Sequence, residues 1–254
     1  MLSESRIGNF TSSEIFNLCG FDKSGKDWGA SAMTYIAEKN NERRLQSSIN
    51  EESNAKPLSW GKLCEKYLNN TQRLLGLEYE ILNDVTYTHP LYNYWKGSPD
   101  NIKHLSPMVI GDTKAPITKA SFCGLVNPYY LGLRGLDCIN AIRNGFTDAK
   151  GFKHAKHKDG DKYYWQLVSN ACILGAYSAE LQVFMPYESE LQTLKDLADG
   201  DGNLYWMMYS DLPFIKDGGF YKNITKIEFE IPKEDIEFMT ERVINAGKYL
   251  IEIE

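Results

Sequence analysis

A chain that places Asp112-Thr113-Lys114 one glycine after the apolar run Met108-Val109-Ile110 has little freedom in how it folds. The run is short, partly β-branched and punctuated on both sides, so it predicts a buried strand. Two residues apart on a strand, Asp112 and Lys114 point to the same face. A second acid, Asp100, returns to that place from the turn Ser98-Pro99-Asp100 within the same stretch, residues 97–116. Carboxylates at the end of a buried strand are costly unless they are paired or hold a metal. A hard divalent cation takes one or two carboxylates together with phosphate oxygens and water. Acid and ammonium on one face therefore suit a cation and a phosphate held side by side.

The composition sets the frame for that strand. The 254 residues suffice for one sizeable core, or a core with an elaborated subdomain. With 43% apolar and 24% charged residues, the chain reads as an ordinary soluble globular protein. No apolar run approaches the roughly 18 residues of a membrane span. The first residues, MLSESRIGNF, lack a signal-peptide core, which predicts a cytoplasmic address. Cys19, Cys64, Cys123, Cys138 and Cys172 are scattered, with no CxxC pair, and read as reduced core residues. A net charge of −6 argues against a protein that merely coats nucleic acid. That charge is uneven: residues 228–254 hold eight acids and three bases, and the remainder is close to neutral. A nearly neutral body still has room for a local basic track.

Along the chain, residues 6–19 predict an extended piece and then a helix over 14–18. The hydroxyls Thr11, Ser12 and Ser13 serve there either as a cap or as a phosphate contact near Arg6. Helices are expected over 31–44 and 59–75; on the second, Trp60, Leu63, Cys64, Tyr67 and Leu68 form the buried stripe and Glu65 lies beside it. Residues 77–88 read as a strand pair or one bent strand. A helix is expected over 119–124, then irregular structure carrying Arg134 and Arg143. The five lysines and two histidines of residues 150–162 make either a DNA-facing loop or a solvated connection. His154 and His157 fall at i, i+3 with no third ligand nearby. On the apolar helix over 163–180, Gln166 and Asn170 share a face and meet either a substrate backbone or neighbouring carbonyls. Strands are expected over 181–185, 204–209 and 224–231, a helix over 191–197, and an acidic helix after Pro232. The whole predicts a single α/β domain, with a core over about residues 6–210 and an acidic strand and helix over about 224–254.

In order, Glu65 on a helix, Pro99-Asp100, Asp112-Thr113-Lys114 on a strand and Gln166 on a later helix resemble the PD-(D/E)xK nuclease superfamily. The detail is similar to phage-type alkaline exonucleases of the lambda exonuclease and YqaJ recombinase group. Arg6-Ile7-Gly8 with Thr11-Ser12-Ser13-Glu14, Gly25-Lys26-Asp27-Trp28, Asn54-Ala55-Lys56, Trp60-Gly61-Lys62, Ser98-Pro99-Asp100 and Asp112-Thr113-Lys114-Ala115-Pro116 carry the likeness. It implies a restriction-endonuclease-like core, a central mixed β-sheet flanked by α-helices. It also implies Mg²⁺, with Mn²⁺ as a substitute, held by Asp100, Asp112, the Thr113 carbonyl and Glu65. The same likeness makes Glu65 the acid that orients the attacking water, Lys114 the lysine that positions or activates it, and Gln166 the glutamine of the later helix. Arg6 and Ser13 match residues that receive a DNA 5′ phosphate, and Lys56 and Leu58 positions beside the opened duplex end. Implied too are double-stranded DNA ends as substrate, 5′→3′ exonuclease activity in phage-type recombination, a single-strand annealing protein as partner and a homotrimer. An endonuclease or repair nuclease of the same superfamily, or a non-catalytic DNA-binding scaffold, is the alternative. The interval between Lys114 and Gln166 is longer than usual for the group, marking 125–160 as an insertion, and the acidic C-terminal segment has no evident counterpart.

Overall fold

The computed structural model describes residues 6–25, 27–49, 55–70, 76–82, 85–104 and 106–252. Lys26, Asn54 and the expected end of the helix at 71–75 lie outside them. The described strands are β1 (Phe10–Thr11), β2 (Tyr79–Ile81), β3 (Tyr87–Thr88), β4 (Trp95–Gly97), β5 (Asn101–Lys103), β6 (Val109–Lys114), β7 (Phe146–Thr147), β8 (Lys153–His154), β9 (Ser178–Phe184) and β10 (Ile224–Glu230). The helices are α1 (Ala30–Leu45), α2 (Lys56–Asn70), α3 (Lys119–Tyr130), α4 (Gly135–Asn144), α5 (Gly160–Leu174), α6 (Leu191–Asp199) and α7 (Lys233–Gly247).

A five-stranded sheet in the order β10-β9-β6-β5-β2 forms the centre, with β6 and β9 parallel and the other pairings antiparallel. This is the mixed sheet flanked by helices that the sequence predicts. Register decides which residues share a face: Asp112 lies opposite Leu181, and Thr113 opposite Gln182. With a side-chain period of two, Ile110, Asp112 and Lys114 join Ala179, Leu181 and Val183 on one face, and Thr113 joins Glu180 and Gln182 on the other.

The first face is covered by α5, which is buried almost all round from Tyr164 to Ala171. Leu167, Val168 and Ala171 pack on Ile110, Ala179, Leu181 and Val183. Each large aliphatic side chain so buried contributes roughly 1.5–3 kcal/mol. Because α5 lies in the core, its polar residues Gln166, Ser169 and Asn170 must find partners inside the protein. Gly175 ends the helix at φ 70°, a left-handed C-terminal conformation that suits glycine.

The second face supports α2 at its edge. Trp60, Leu63, Cys64, Tyr67 and Leu68, one stripe at helical spacing, pack with Phe184, Leu194, Leu204 and Met207. The Trp60 indole N–H donates to the Pro116 carbonyl at 3.2 Å, fixing α2 to the chain just beyond Lys114.

Several expectations change. Residues 77–88 hold two separate strands: β2 pairs with β5, and β3 with β4 in a small β1-β4-β3 sheet. Residues 205–209 form a 3₁₀ helix instead of a strand, because Leu204 and Met207 are buried three apart, not two. The stretch after residue 124 is not irregular: α3 runs on through Pro128, and α4 places Cys138, Ile139 and Ile142 in the main core. The expected helix at 14–18 is a 3₁₀ turn over Ile15–Cys19 with no side-chain cap. All five cysteines are free, as expected. The acidic C-terminal segment is built into the fold, since β10 pairs with β9 over seven positions and Met239, Val243 and Ala246 of α7 lie in the core. No described helix is long and apolar enough to cross a membrane.

Candidate active site

Asp112 is fully buried at the end of β6. Its Oδ1 accepts a 2.7 Å hydrogen bond from the Gln166 side-chain amide of α5. Its Oδ2 forms an ion pair with the Lys114 ammonium at 2.5 Å, the one partner described for that oxygen. The Lys114 ammonium also donates to Gln166 Oε1 at 3.0 Å and stands 5.1 Å from the centre of the Tyr163 ring. Gln166 thus donates to the acid and accepts from the base, which fixes both ends of its amide. Of the two partners open to Gln166 on sequence, substrate backbone or protein, the structure shows protein side chains. Asn170, one turn on, is buried against Gly97 with neither amide atom hydrogen-bonded, and a Cβ on Gly97 would overlap Asn170 Oδ1 and Ser12 Oγ.

Asp100 arrives from the turn before β5, and its Oδ2 accepts the Thr113 backbone N–H at 2.6 Å. Burial, and then the negative charges of Asp112 and Glu65, hold its carboxyl well above the usual carboxylate range, against the pull of Lys114 and the Thr113 N–H. Burial by itself would pull the Lys114 ammonium down, but Asp112 and Asp100 outweigh it and raise its pKa. Lys114 is therefore a fixed cation at neutral pH in this arrangement. Two buried carboxylates close together, with a single ammonium between them, are a donor set that a divalent cation would satisfy. Glu65 projects from the exposed side of α2 and reaches Asp100 by its charge. Among the described residues no three His, Cys, Asp or Glu side chains stand close enough to form a complete metal cluster.

The hydroxyl turn meets α5 one helical turn beyond Gln166. Arg6 Nη2 donates to Ser13 Oγ at 3.4 Å, and Ser13 Oγ lies 3.4 Å from Thr11 Oγ1. Ser12 Oγ meets Ser169 Oγ of α5 at 2.8 Å, and Ser169 in turn accepts from the Trp95 indole. Neighbouring positions on α5, Gln166 and Ser169, therefore touch the Asp112–Lys114 centre and the hydroxyl turn respectively. Lys56 and Leu58 stand exposed on the first turn of α2. His154 and His157 do not form a pair. His154 stacks on Phe146 and bonds Asp148, while His157 Nε2 meets Ser121 Oγ at 2.8 Å.

Sequence reasoning passes over Tyr163, and over the amide pair behind β6. Gln182 and Asn101 exchange two 2.9 Å hydrogen bonds, and Thr113 Oγ1 donates to Gln182 Oε1 at 2.7 Å. A Cβ on Gly111 would overlap Asn101 Oδ1, so this strand position must be glycine. The signal was there: Glu180 and Gln182 alternate with Leu181 and Val183, marking a polar face on a strand buried throughout.

No protein-family model matches the chain, and no curated protein matches it in sequence. Solved structures do resemble it. A phage-related exonuclease from Haemophilus somnus 129PT is similar over 95% of this chain and 92% of its own, with a TM-score of 0.61 and 17% identity. LHK-Exo, an alkaline exonuclease from Laribacter hongkongensis, is similar over 95% of this chain and 87% of its own, with a TM-score of 0.55 and 13% identity. Its crystal structure with dAMP gives a TM-score of 0.55 and 15% identity, over 96% of this chain and 88% of that one. The chain has the fold of these exonucleases.

Proposed function

We propose that the protein is a metal-dependent deoxyribonuclease that degrades linear double-stranded DNA from its ends in the 5′→3′ direction. The observation that carries this reading is the buried Asp112–Lys114–Gln166 cluster with Asp100 beside it. It keeps two acids and one cation together at the end of a central strand, in the fold of known exonucleases. Asp100, Asp112 and the Thr113 carbonyl would hold Mg²⁺ or Mn²⁺, with Glu65 approaching from α2. What such an ion supplies when bound is charge neutralisation at the phosphate and a more acidic water. The chain's own groups do the rest. Lys114, held charged by its two acids, offers a fixed ammonium to a phosphate oxygen, and Gln166 keeps Asp112 and Lys114 oriented. Arg6 with Ser13 offers a guanidinium and a hydroxyl to a terminal 5′ phosphate. Lys56 and Leu58, exposed on the first turn of α2, would meet the opened end. A cytoplasmic setting in phage-type recombination, a strand-annealing partner and a homotrimer complete the proposal.

The test uses linear duplex labelled at one 5′ or one 3′ end, with either phosphate or hydroxyl at the 5′ terminus. The expected result is early release of the 5′ label as mononucleotide, faster from the phosphorylated end, with that preference lost in Arg6→Ala. Nicking of covalently closed circles would favour the endonuclease, and binding of duplex without cleavage the scaffold; either would overturn the proposal.

A further inference from the structure

A groove on the surface connects to the acidic centre through three side chains, Tyr163, His157 and Ser121. It has a volume of about 340 Å³ and is lined by Lys119, Phe122, Phe214, Lys216, Phe220 and Tyr221. The route to it can be followed through contacts. The Tyr163 ring that faces Lys114 stacks on His157, centroids 5.9 Å apart, and His157 bonds Ser121 in the first turn of α3. Lys119 opens that same turn, with its ammonium 4.4 Å from the centre of the Phe214 ring. Lys156 and Lys158 flank His157 and are exposed.

Two features of the groove point to one class of occupant. One of its rings is presented outward: Phe220 is 70% exposed and sits 5.0 Å from the half-buried Tyr221, edge to face, and 5.3 Å from Tyr130. Its flanking charges are positive, from the exposed Lys119 and Lys216. The neighbouring acid, Asp217, is turned to Ser189, whose backbone N–H and hydroxyl it accepts. An outward ring flanked by ammonium groups matches a single nucleic-acid strand, whose bases offer open faces for stacking and whose phosphates follow the lysines. A duplex hides those base faces.

We infer that this groove binds a single strand of DNA beside the active centre, the strand left uncut as the duplex end is degraded. The inference rests on the exonuclease reading for its biological role, though the binding does not. The experiment is fluorescence anisotropy with labelled oligothymidylate in EDTA, where nothing is cleaved. It compares the wild type with Phe220→Ala and with Lys119→Ala/Lys216→Ala. All three side chains are exposed, so the fold survives, and a melting curve on each variant checks that. Phe220→Ala is expected to weaken binding about tenfold. The double lysine variant should flatten the slope of log affinity against log salt by about 1.4, two single-strand phosphates' worth.

Wild-type-like affinity in both variants would overturn the inference, as would absence of oligothymidylate binding by the wild type; a protein segment as the true occupant gives the first result. An equal loss on blunt duplex would also overturn it, making the groove a backbone track. A wild type that cuts no duplex in Mg²⁺, while Phe220→Ala still loses oligothymidylate, would remove the exonuclease reading and leave the groove standing. Active nuclease with unaltered variants would remove the groove alone.

Discussion

The two faces of β6 and β9 each carry a buried charged cluster, and the clusters differ in one respect. Behind the strands, Glu180 accepts from the Tyr79 hydroxyl at 2.7 Å, from Lys103 at 2.7 Å and from Gln182 at 2.8 Å, and Lys103 also reaches Glu228 at 2.7 Å. None of these carboxylate or amide atoms is left buried without a hydrogen bond. On the α5 face, Asp112 Oδ2 is met by Lys114 alone, and Asp100 is held above its ordinary range by burial and the acids around it. The difference teaches that one network shares each carboxylate among several donors, whereas the other sets two acids against one ammonium, as the proposed active site requires.

Breaking each cluster should have opposite consequences. Asp112→Asn is expected to lower DNA hydrolysis about a thousandfold while urea denaturation shows stability kept, because the exchange removes one of two opposed carboxylates. Lys103→Met is expected to lower stability by about 3 kcal/mol in the same denaturation, since Glu180 is then buried without its cation. Pairing it with Glu180→Leu should restore most of that loss. If Lys103→Met instead spared stability and removed activity, the assignment of the two faces would be reversed.

Smaller effects sharpen the contrast. Gln166→Leu frees Asp112 and Lys114 from a common amide, and hydrolysis is expected to fall tenfold to a hundredfold with binding of duplex retained, as read by kcat against KM. The smallest effect concerns pH. Burial, with a lesser contribution from Lys158 and against Asp159, lowers the His157 pKa, so the folded protein favours neutral imidazole. Its contribution to stability is present above the ordinary histidine value of about 6.5 and is lost as pH falls below it. Thermal unfolding from pH 7.5 to 5 should show that decline in the wild type and a flatter curve in His157→Gln.

Much of this arrangement is legible in the sequence, for reasons that can be located. Asp112 and Lys114 stand out because they follow an apolar strand, and the alternation of residues 224–231 shows β10 directly. Gln166 is visible as a polar residue on an apolar helix. What it bonds is not visible, because the β6–α5 contact joins residues 54 apart in sequence. The register of Gln182 against Thr113 is equally hidden: it depends on the parallel pairing of β6 with β9, which local pattern does not encode. Residues 205–209 mislead because five mostly aromatic residues satisfy a strand and a 3₁₀ turn alike. The groove at Lys119 and Phe220 joins α3 to a loop nearly a hundred residues later, beyond the reach of any motif.

The most direct test of the central claim is nucleotide release from linear double-stranded DNA by the wild type and by Asp112→Asn, each in MgCl₂ and in EDTA. The account predicts release by the wild type with Mg²⁺ alone, and none above background in the other three conditions. Hydrolysis that persists in EDTA, or that survives in Asp112→Asn, would contradict it.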